Sequence, residues 1–205
     1  MLEVTDLGCV RGDRRLFSDV NFTLSSGSYL QVQGPNGSGK TSLLRLICGL
    51  LAPSEGHIRW QGANIGSLGE DYFTSLSYVG HRNGLKEELT PIENLRVTSG
   101  LSGTQLSQQE ATSILGKIGL SGRDHLPARL LSEGQRRRTA LARLMTCETS
   151  LWVLDEVLTS LDSSAVRFVT SLLDEHLNKG GIAVVATHHE LDLSANSYQQ
   201  LNLAS

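Results

Sequence analysis

Residues 34–41 read Gly34-Pro35-Asn36-Gly37-Ser38-Gly39-Lys40-Thr41, with Ser42 next, and side chains in that order can hold phosphate. The run fits G-x-x-x-x-G-K-[ST], with Gly34, Gly39, Lys40 and Thr41 at the defining positions. Glycines let the backbone curl so that successive N–H groups point inward at phosphate oxygens. A helix opening behind the loop adds partial positive charge at its N-terminus. In such a loop the lysine reaches the β- and γ-phosphates of a nucleoside triphosphate, and the threonine hydroxyl ligates Mg²⁺. The competing reading is a Gly-rich turn that happens to contain lysine. The flanks weigh against it: Ser28 to Gln33 alternates as a strand with Leu30 and Val32 on one face, and Leu43, Leu46, Ile47 and Leu50 recur at helical spacing.

Further along, the apolar run Leu151-Trp152-Val153-Leu154 ends in Asp155-Glu156. Beside a bound triphosphate, Asp155 would hold Mg²⁺ directly or through water. Glu156 would orient or deprotonate the attacking water, because a carboxylate with a reference pKa of ~4.3 is ionised at neutral pH. An ordinary acidic turn after a strand is the plainer alternative. A third segment, Leu131-Ser132-Glu133-Gly134-Gln135, reads as a capped helix start in which Ser132 and the Gly134 backbone form an anion site. Capping explains Ser132 and Gln135 but not Gly134, a poor helix former in a first turn. Thr187-His188 follows the apolar run 182–186, and Ser160-Leu161-Asp162 precedes a helical stripe for which Asp162 is a good N-cap.

These segments need a frame, and the pattern of the chain predicts an α/β fold. Val20, Phe22 and Leu24 alternate as a half-buried strand, and His57 to Trp60 reads as another before a Gln61-Gly62 turn. The phosphate loop and its helix are therefore flanked by antiparallel strands. Leu76 to Val79 is a further strand. From about 82 to 146 the pattern turns helical, with capping boxes at Ser107/Glu110 and Ser132/Gln135. One apolar stripe runs through Ala111, Ile114, Leu115 and Ile118, and another through Leu141, Leu144 and Met145. Residues 151–154 and 182–186 are continuous apolar runs suited to strands buried on both faces. Between them Val166, Val169, Leu173 and Leu177 mark a helix that stops at Gly180-Gly181. Strands alternating with helices predict a mainly parallel core sheet with a helical subdomain inserted at 82–146, in one domain spanning 1–205.

Composition narrows the function. The 205 residues are 39% hydrophobic and 19% charged, with a formal net charge of -3. That balance does not suit a nucleic-acid surface, so no nucleic-acid partner is expected. No apolar run approaches the ~18 residues that span a bilayer, and Met1 to Asp6 does not read as a secretory leader. Cys9, Cys48 and Cys147 are far apart and odd in number, which predicts reduced thiols without a disulfide frame, structural zinc or covalent haem site.

In their order, the segments from 28 to 188 resemble the ABC ATPases. Leu131 to Gln135 is similar to their L-S-G-G-Q signature, with Glu133 in place of the first glycine. Asp155-Glu156 matches the Walker B pair, Ser160 to Asp162 the D-loop, and His188 the switch histidine. The resemblance implies a P-loop ABC-ATPase fold with an antiparallel β-subdomain and a helical subdomain. It implies Mg²⁺-dependent ATP hydrolysis by a homodimer that sandwiches nucleotide. Each site takes Gly34 to Ser42, Asp155, Glu156 and His188 from one copy, and Ser132, Gly134 and Gln135 from the other. No N-K-x-D guanine-reading motif and no long coiled-coil insertion is present.

Within that family the chain looks most like the ATPase subunits of bacterial cytochrome c maturation and haem-export systems. The supporting residues are Arg14 to Phe17, Gly34 to Gly37, Tyr78-Val79-Gly80-His81, Leu89 to Leu95, Leu151 to Glu156, and the absence of a C-terminal regulatory domain. The resemblance implies integral membrane partners, a peripheral place on the cytoplasmic face of the inner membrane, docking around 81–95, and no direct contact with haem. An ABC ATPase for another cargo, a nucleotide-dependent switch and a small-molecule kinase are the alternatives. Three departures stand out. His81 occupies the place of a glutamine that ligates Mg²⁺, and neutral imidazole is a poorer ligand for that hard ion. Arg11 stands where an aromatic stacks on adenine, and its guanidinium plane can stack in turn. Val157 replaces a proline after Glu156, which predicts a looser Glu156 and slower hydrolysis.

Overall fold

The computed structural model describes residues 1–159, 161–188, 191, 193 and 197–203. Among them the elements run β1 (Leu2–Arg11), β2 (Arg14–Leu24), β3 (Ser28–Gln33), α1 (Lys40–Ile47), β4 (Glu55–Trp60), β5 (Ala63–Asn64), α2 (Ile65–Leu68), α3 (Glu70–Thr74), β6 (Leu76–Val79), α4 (Pro91–Leu101), α5 (Gln108–Lys117), α6 (Glu133–Ala142), β7 (Leu151–Asp155), α7 (Ser163–Asn178), β8 (Ile182–Ala186) and β9 (Ser197–Asn202). They fall into two compact units. One holds Met1–Tyr78, Thr149–Glu156 and Leu173–Ser205; the other holds Val79–Glu148 and Val157–Leu172. The second unit thus begins and ends close to the predicted helical insert and takes in residues 157–172 as well.

The first unit contains two sheets. One has the order β2-β1-β4-β5 with antiparallel pairing. The other has the order β6-β7-β8-β3-β9, in which β7, β8, β3 and β9 run parallel. Strand β2 buries Val20 and Leu24 and half-buries Phe22, with exposed Asn21 and Thr23 between, so the period of two matches the pleat. All five residues of β7 and of β8 are buried, as continuous apolar runs require.

Helix α1 carries Leu43, Leu44, Leu46 and Ile47 into the same core, each fully buried. Burial of such side chains stabilises by roughly 1.5–3 kcal/mol apiece. Leu50 does not belong to this face. The helix stops at Ile47, the Leu50 N–H donates to the Arg45 carbonyl and the Gly49 N–H to Leu46, and Leu50 is 59% exposed. This is the Schellman arrangement, in which left-handed Gly49 (φ 69°) ends the helix before the period completes.

In the second unit α4, α5 and α6 pack on one another. Capping boxes open all three, at Thr90/Glu93, Ser107/Glu110 and Ser132/Gln135. Asn94, buried on α4, accepts from the Lys86 N–H (2.8 Å) and donates to the carbonyls of Lys86, Leu89 and Thr90, which ties the preceding loop to the helix. Asp162 caps α7, accepting from the Ala165 N–H at 2.8 Å. No helix among the described residues is long and apolar enough to cross a membrane.

Candidate active site

The site in the first unit is made by three adjacent parallel strands. β7, β8 and β3 pair so that Asp155 and Val32 both lie opposite Ala186. Their C-terminal ends therefore release Asp155-Glu156, Thr187-His188 and the Gly34 loop side by side. Such ends are where open α/β sheets hold ligands.

The loop has the backbone its glycines allow. Gly39 sits at φ 102° at the N-cap of α1, and a Cβ there would stand 3.0 Å from the Phe17 ring. Lys40 is 6% exposed; its Nζ donates to the Gly34 carbonyl (2.8 Å) and the Pro35 carbonyl (3.3 Å) and lies 3.8 Å from Glu156 Oε1. The Thr41 hydroxyl donates to Asp155 Oδ2 at 2.9 Å. Pro35, Asn36 and Gly37 are exposed, whereas Ser38 is 1% exposed and its Oγ has no hydrogen-bond partner. A buried hydroxyl without a partner is costly, and inside a phosphate loop an acceptor oxygen from a ligand is what would satisfy it. Ser42 hydrogen-bonds the Cys9 thiol, whose pKa is raised, mainly by burial.

Glu156 adopts φ 52°, the left-handed region that costs a non-glycine residue of order 1 kcal/mol or more and clusters at functional sites. Its N–H donates to the Ala186 carbonyl at 2.9 Å, which anchors it to the neighbouring strand, and the Val157 side chain is fully buried. His188 is exposed just past buried Thr187. Arg11 is exposed and pairs with Arg14 at the end of the β1–β2 hairpin, the same hairpin whose Leu16 and Phe17 meet Gly39. Ser160 and His189 lie outside the described residues.

Ser132, Gly134, Gln135 and His81 belong to the second unit. The Ser132 hydroxyl accepts from the Gln135 N–H (3.2 Å), and Gln135 Oε1 accepts from the Ser132 N–H (2.9 Å). His81 is exposed, and its carbonyl accepts from Arg137 Nη1 at 3.2 Å. The sequence reading missed Asn83 and Arg137. Within the run Arg136-Arg137-Arg138, Arg137 is 4% exposed and bonded to the Gly80 and His81 carbonyls.

The fold and the loop define a P-loop nucleotide-binding protein. The Thr41 hydroxyl beside the Asp155 carboxylate is an all-oxygen pair of the kind that suits Mg²⁺ with phosphate. Residues 17–159 match the ABC transporter family, and the chain belongs to that family. It is 56% identical to the cytochrome c biogenesis ATP-binding export protein CcmA of Nitrosospira multiformis, over 98% of both chains. It is 50% identical to the CcmA of Nitrosomonas europaea, over 100% of this chain and 96% of the other. Among solved structures it is similar to the ATP-binding subunit of an ABC transporter, at 27% identity and a TM-score of 0.81, covering 91% of this chain and 79% of that one.

Proposed function

We propose that this chain is the ATP-hydrolysing subunit of an ABC system for haem export and cytochrome c maturation. The observation that carries the chemistry is the convergence of Lys40, Thr41, Asp155 and Glu156 within one unit, with Thr41 bonded to Asp155 and Lys40 beside Glu156. The relatives' shared role in cytochrome c biogenesis supports the cargo system.

In this reading the N–H groups of residues 36–41 and the Ser38 hydroxyl cradle the β- and γ-phosphates. Lys40 leaves the Gly34 and Pro35 carbonyls to meet phosphate oxygens. Thr41 and Asp155 hold Mg²⁺, which when bound neutralises phosphate charge. Glu156 accepts the proton of the attacking water, and His188 orients that water and the γ-phosphate. Phosphoryl transfer asks mostly for this positioning and charge stabilisation. Arg11 would stack on adenine, and His81 is the third candidate ligand for Mg²⁺, a weaker one than Thr41 or Asp155 because neutral imidazole suits that hard ion poorly.

Ser132, Gly134 and Gln135 act on nucleotide bound to a second copy. ATP then joins two copies and hydrolysis parts them. With no membrane-crossing helix among the described residues, the motion passes to integral membrane subunits, and the working place is the cytoplasmic face of the bacterial inner membrane.

Phosphate release by the purified chain, and by complexes recovered from detergent-solubilised membranes, tests the reading. ATP-dependent phosphate release and co-purified membrane proteins of cytochrome c maturation are expected. Failure to bind or hydrolyse ATP in either preparation would overturn it.

A further inference from the structure

Glu133 places a carboxylate on the first turn of α6, where the ABC signature has glycine. Under the proposed function that turn meets a triphosphate, so the inference rests on that reading. Two negative groups at contact distance repel, and this chain must manage a charge that the family pattern lacks.

Three side chains already manage it. Arg136 forks onto Glu133 Oε2 through Nε (3.2 Å) and Nη2 (2.9 Å). Asn83 Nδ2 donates to Glu133 Oε1 at 2.8 Å. Asn83 is held in turn, because its Oδ1 accepts from Arg137 Nη1 at 3.2 Å. That same nitrogen donates to the Gly80 carbonyl at 2.8 Å and to His81. Hydrogen bonds from Arg136 first and Asn83 second keep the Glu133 carboxyl below its ordinary pKa, so it stays ionised. An exposed ion pair one turn apart contributes little by itself. Here the fork and the amide fix both oxygens, and buried Arg137 anchors the amide to loop 80–83.

We propose that Arg136 and Asn83 are positioning residues that neutralise Glu133 and hold its carboxylate aside, so that the first turn of α6 can receive the γ-phosphate of ATP bound to a second copy. Arg137 makes that readiness depend on the conformation of loop 80–83.

The test uses the full chain carrying Glu156→Gln, with ATP-induced dimerisation followed by sedimentation velocity and monomer ATP affinity by fluorescent-nucleotide titration. Arg136→Gln and, separately, Asn83→Ala are expected to raise the protein concentration for half-dimerisation about tenfold. Adding Glu133→Gly to either should bring it back to within about twofold of the parent, with monomer ATP affinity unchanged throughout. Dimerisation of both single variants at the parent concentration would overturn the proposal. So would double variants that stay as weak as the singles, since a purely structural role is not relieved by removing Glu133. If the parent itself forms no dimer at saturating ATP, the reading of α6 as a site for a second copy's nucleotide fails first.

Discussion

Thr41 Oγ1 donates to Asp155 Oδ2 across 2.9 Å, joining two side chains 114 positions apart in sequence. The bond sets the orientation of both oxygens before any ion arrives. Asp155 is 1% exposed, so its carboxylate is held by the fold and not by solvent. Changing Asp155 to Asn keeps the shape and removes the charge. The Mg²⁺ concentration for half-maximal phosphate release should rise roughly 10- to 100-fold, while ATP binding in EDTA stays as in the parent. An unchanged Mg²⁺ requirement would remove Asp155 from the metal site.

Lys40 Nζ and Glu156 Oε1 lie 3.8 Å apart, yet their variants should both lose turnover and differ in ATP binding. Lys40→Ala removes the only lysine of the phosphate loop and should weaken ATP binding and turnover together. Glu156→Gln keeps the side-chain volume and loses the proton acceptor. Turnover should fall by about 10²- to 10⁴-fold with ATP still bound. Single-turnover phosphate release and nucleotide titration separate the two, and parental hydrolysis by Glu156→Gln would dismiss Glu156 as the base.

Much of this site was legible in the sequence because it is local. The Gly34 to Thr41 run, the Asp155-Glu156 step after an apolar strand and the Ser132/Gln135 box each depend on neighbours within a few positions. What escaped depends on distant contacts. Strand β9 is built from Ser197-Tyr198-Gln199-Gln200-Leu201-Asn202, a polar stretch with no apolar alternation to announce it, and it exists because it pairs in parallel with β3. Val157 suggested a loosened Glu156. The left-handed backbone of Glu156 and its N–H bond to Ala186 come from the neighbouring strand, which sequence spacing does not reveal. Thr90/Glu93 has the spacing of a capping box with Pro91 at the first helical position, so that signal was present and unread.

Acid sensitivity follows from a stacked pair. The Trp152 and His176 rings lie 4.0 Å apart at 8°, and His176 Nε2 stands 3.1 Å from the Ile182 carbonyl, which assigns the proton of the neutral ring to Nε2. Burial lowers the His176 pKa. The unfolded chain, with a histidine pKa of ~6.5, then binds more protons than the folded one. Stability from this group is complete above the unfolded value and is lost as pH falls towards the depressed folded value. His176→Phe should lower stability by about 1 kcal/mol above pH ~8 for the lost hydrogen bond. Its urea midpoint should also fall less than that of the parent between about pH 7 and about pH 5. Parallel pH profiles would discount His176.

The first glycine of the phosphate loop makes the most demanding prediction. Gly34 lies at φ 148°, and a Cβ built there would stand 2.5 Å from the Leu203 carbonyl oxygen and 2.6 Å from Ser38 Oγ. Ser38 can rotate away, but the Leu203 carbonyl is backbone, tied down by the Leu203 N–H to the Gln33 carbonyl at 2.9 Å. Leu203, the residue after β9, therefore closes over the start of the loop, and any side chain at 34 must push one or the other out of place. Gly34→Ala should weaken ATP binding by about tenfold, equivalent to about 1.4 kcal/mol, with the loop displaced and the rest of the fold intact by circular dichroism. Removing residues 203–205 takes away the obstructing carbonyl, so the truncated Gly34→Ala chain should recover part of that affinity relative to a truncated parent. Full-length Gly34→Ala binding ATP as tightly as the parent would show that Leu203 and the phosphate loop do not approach so closely.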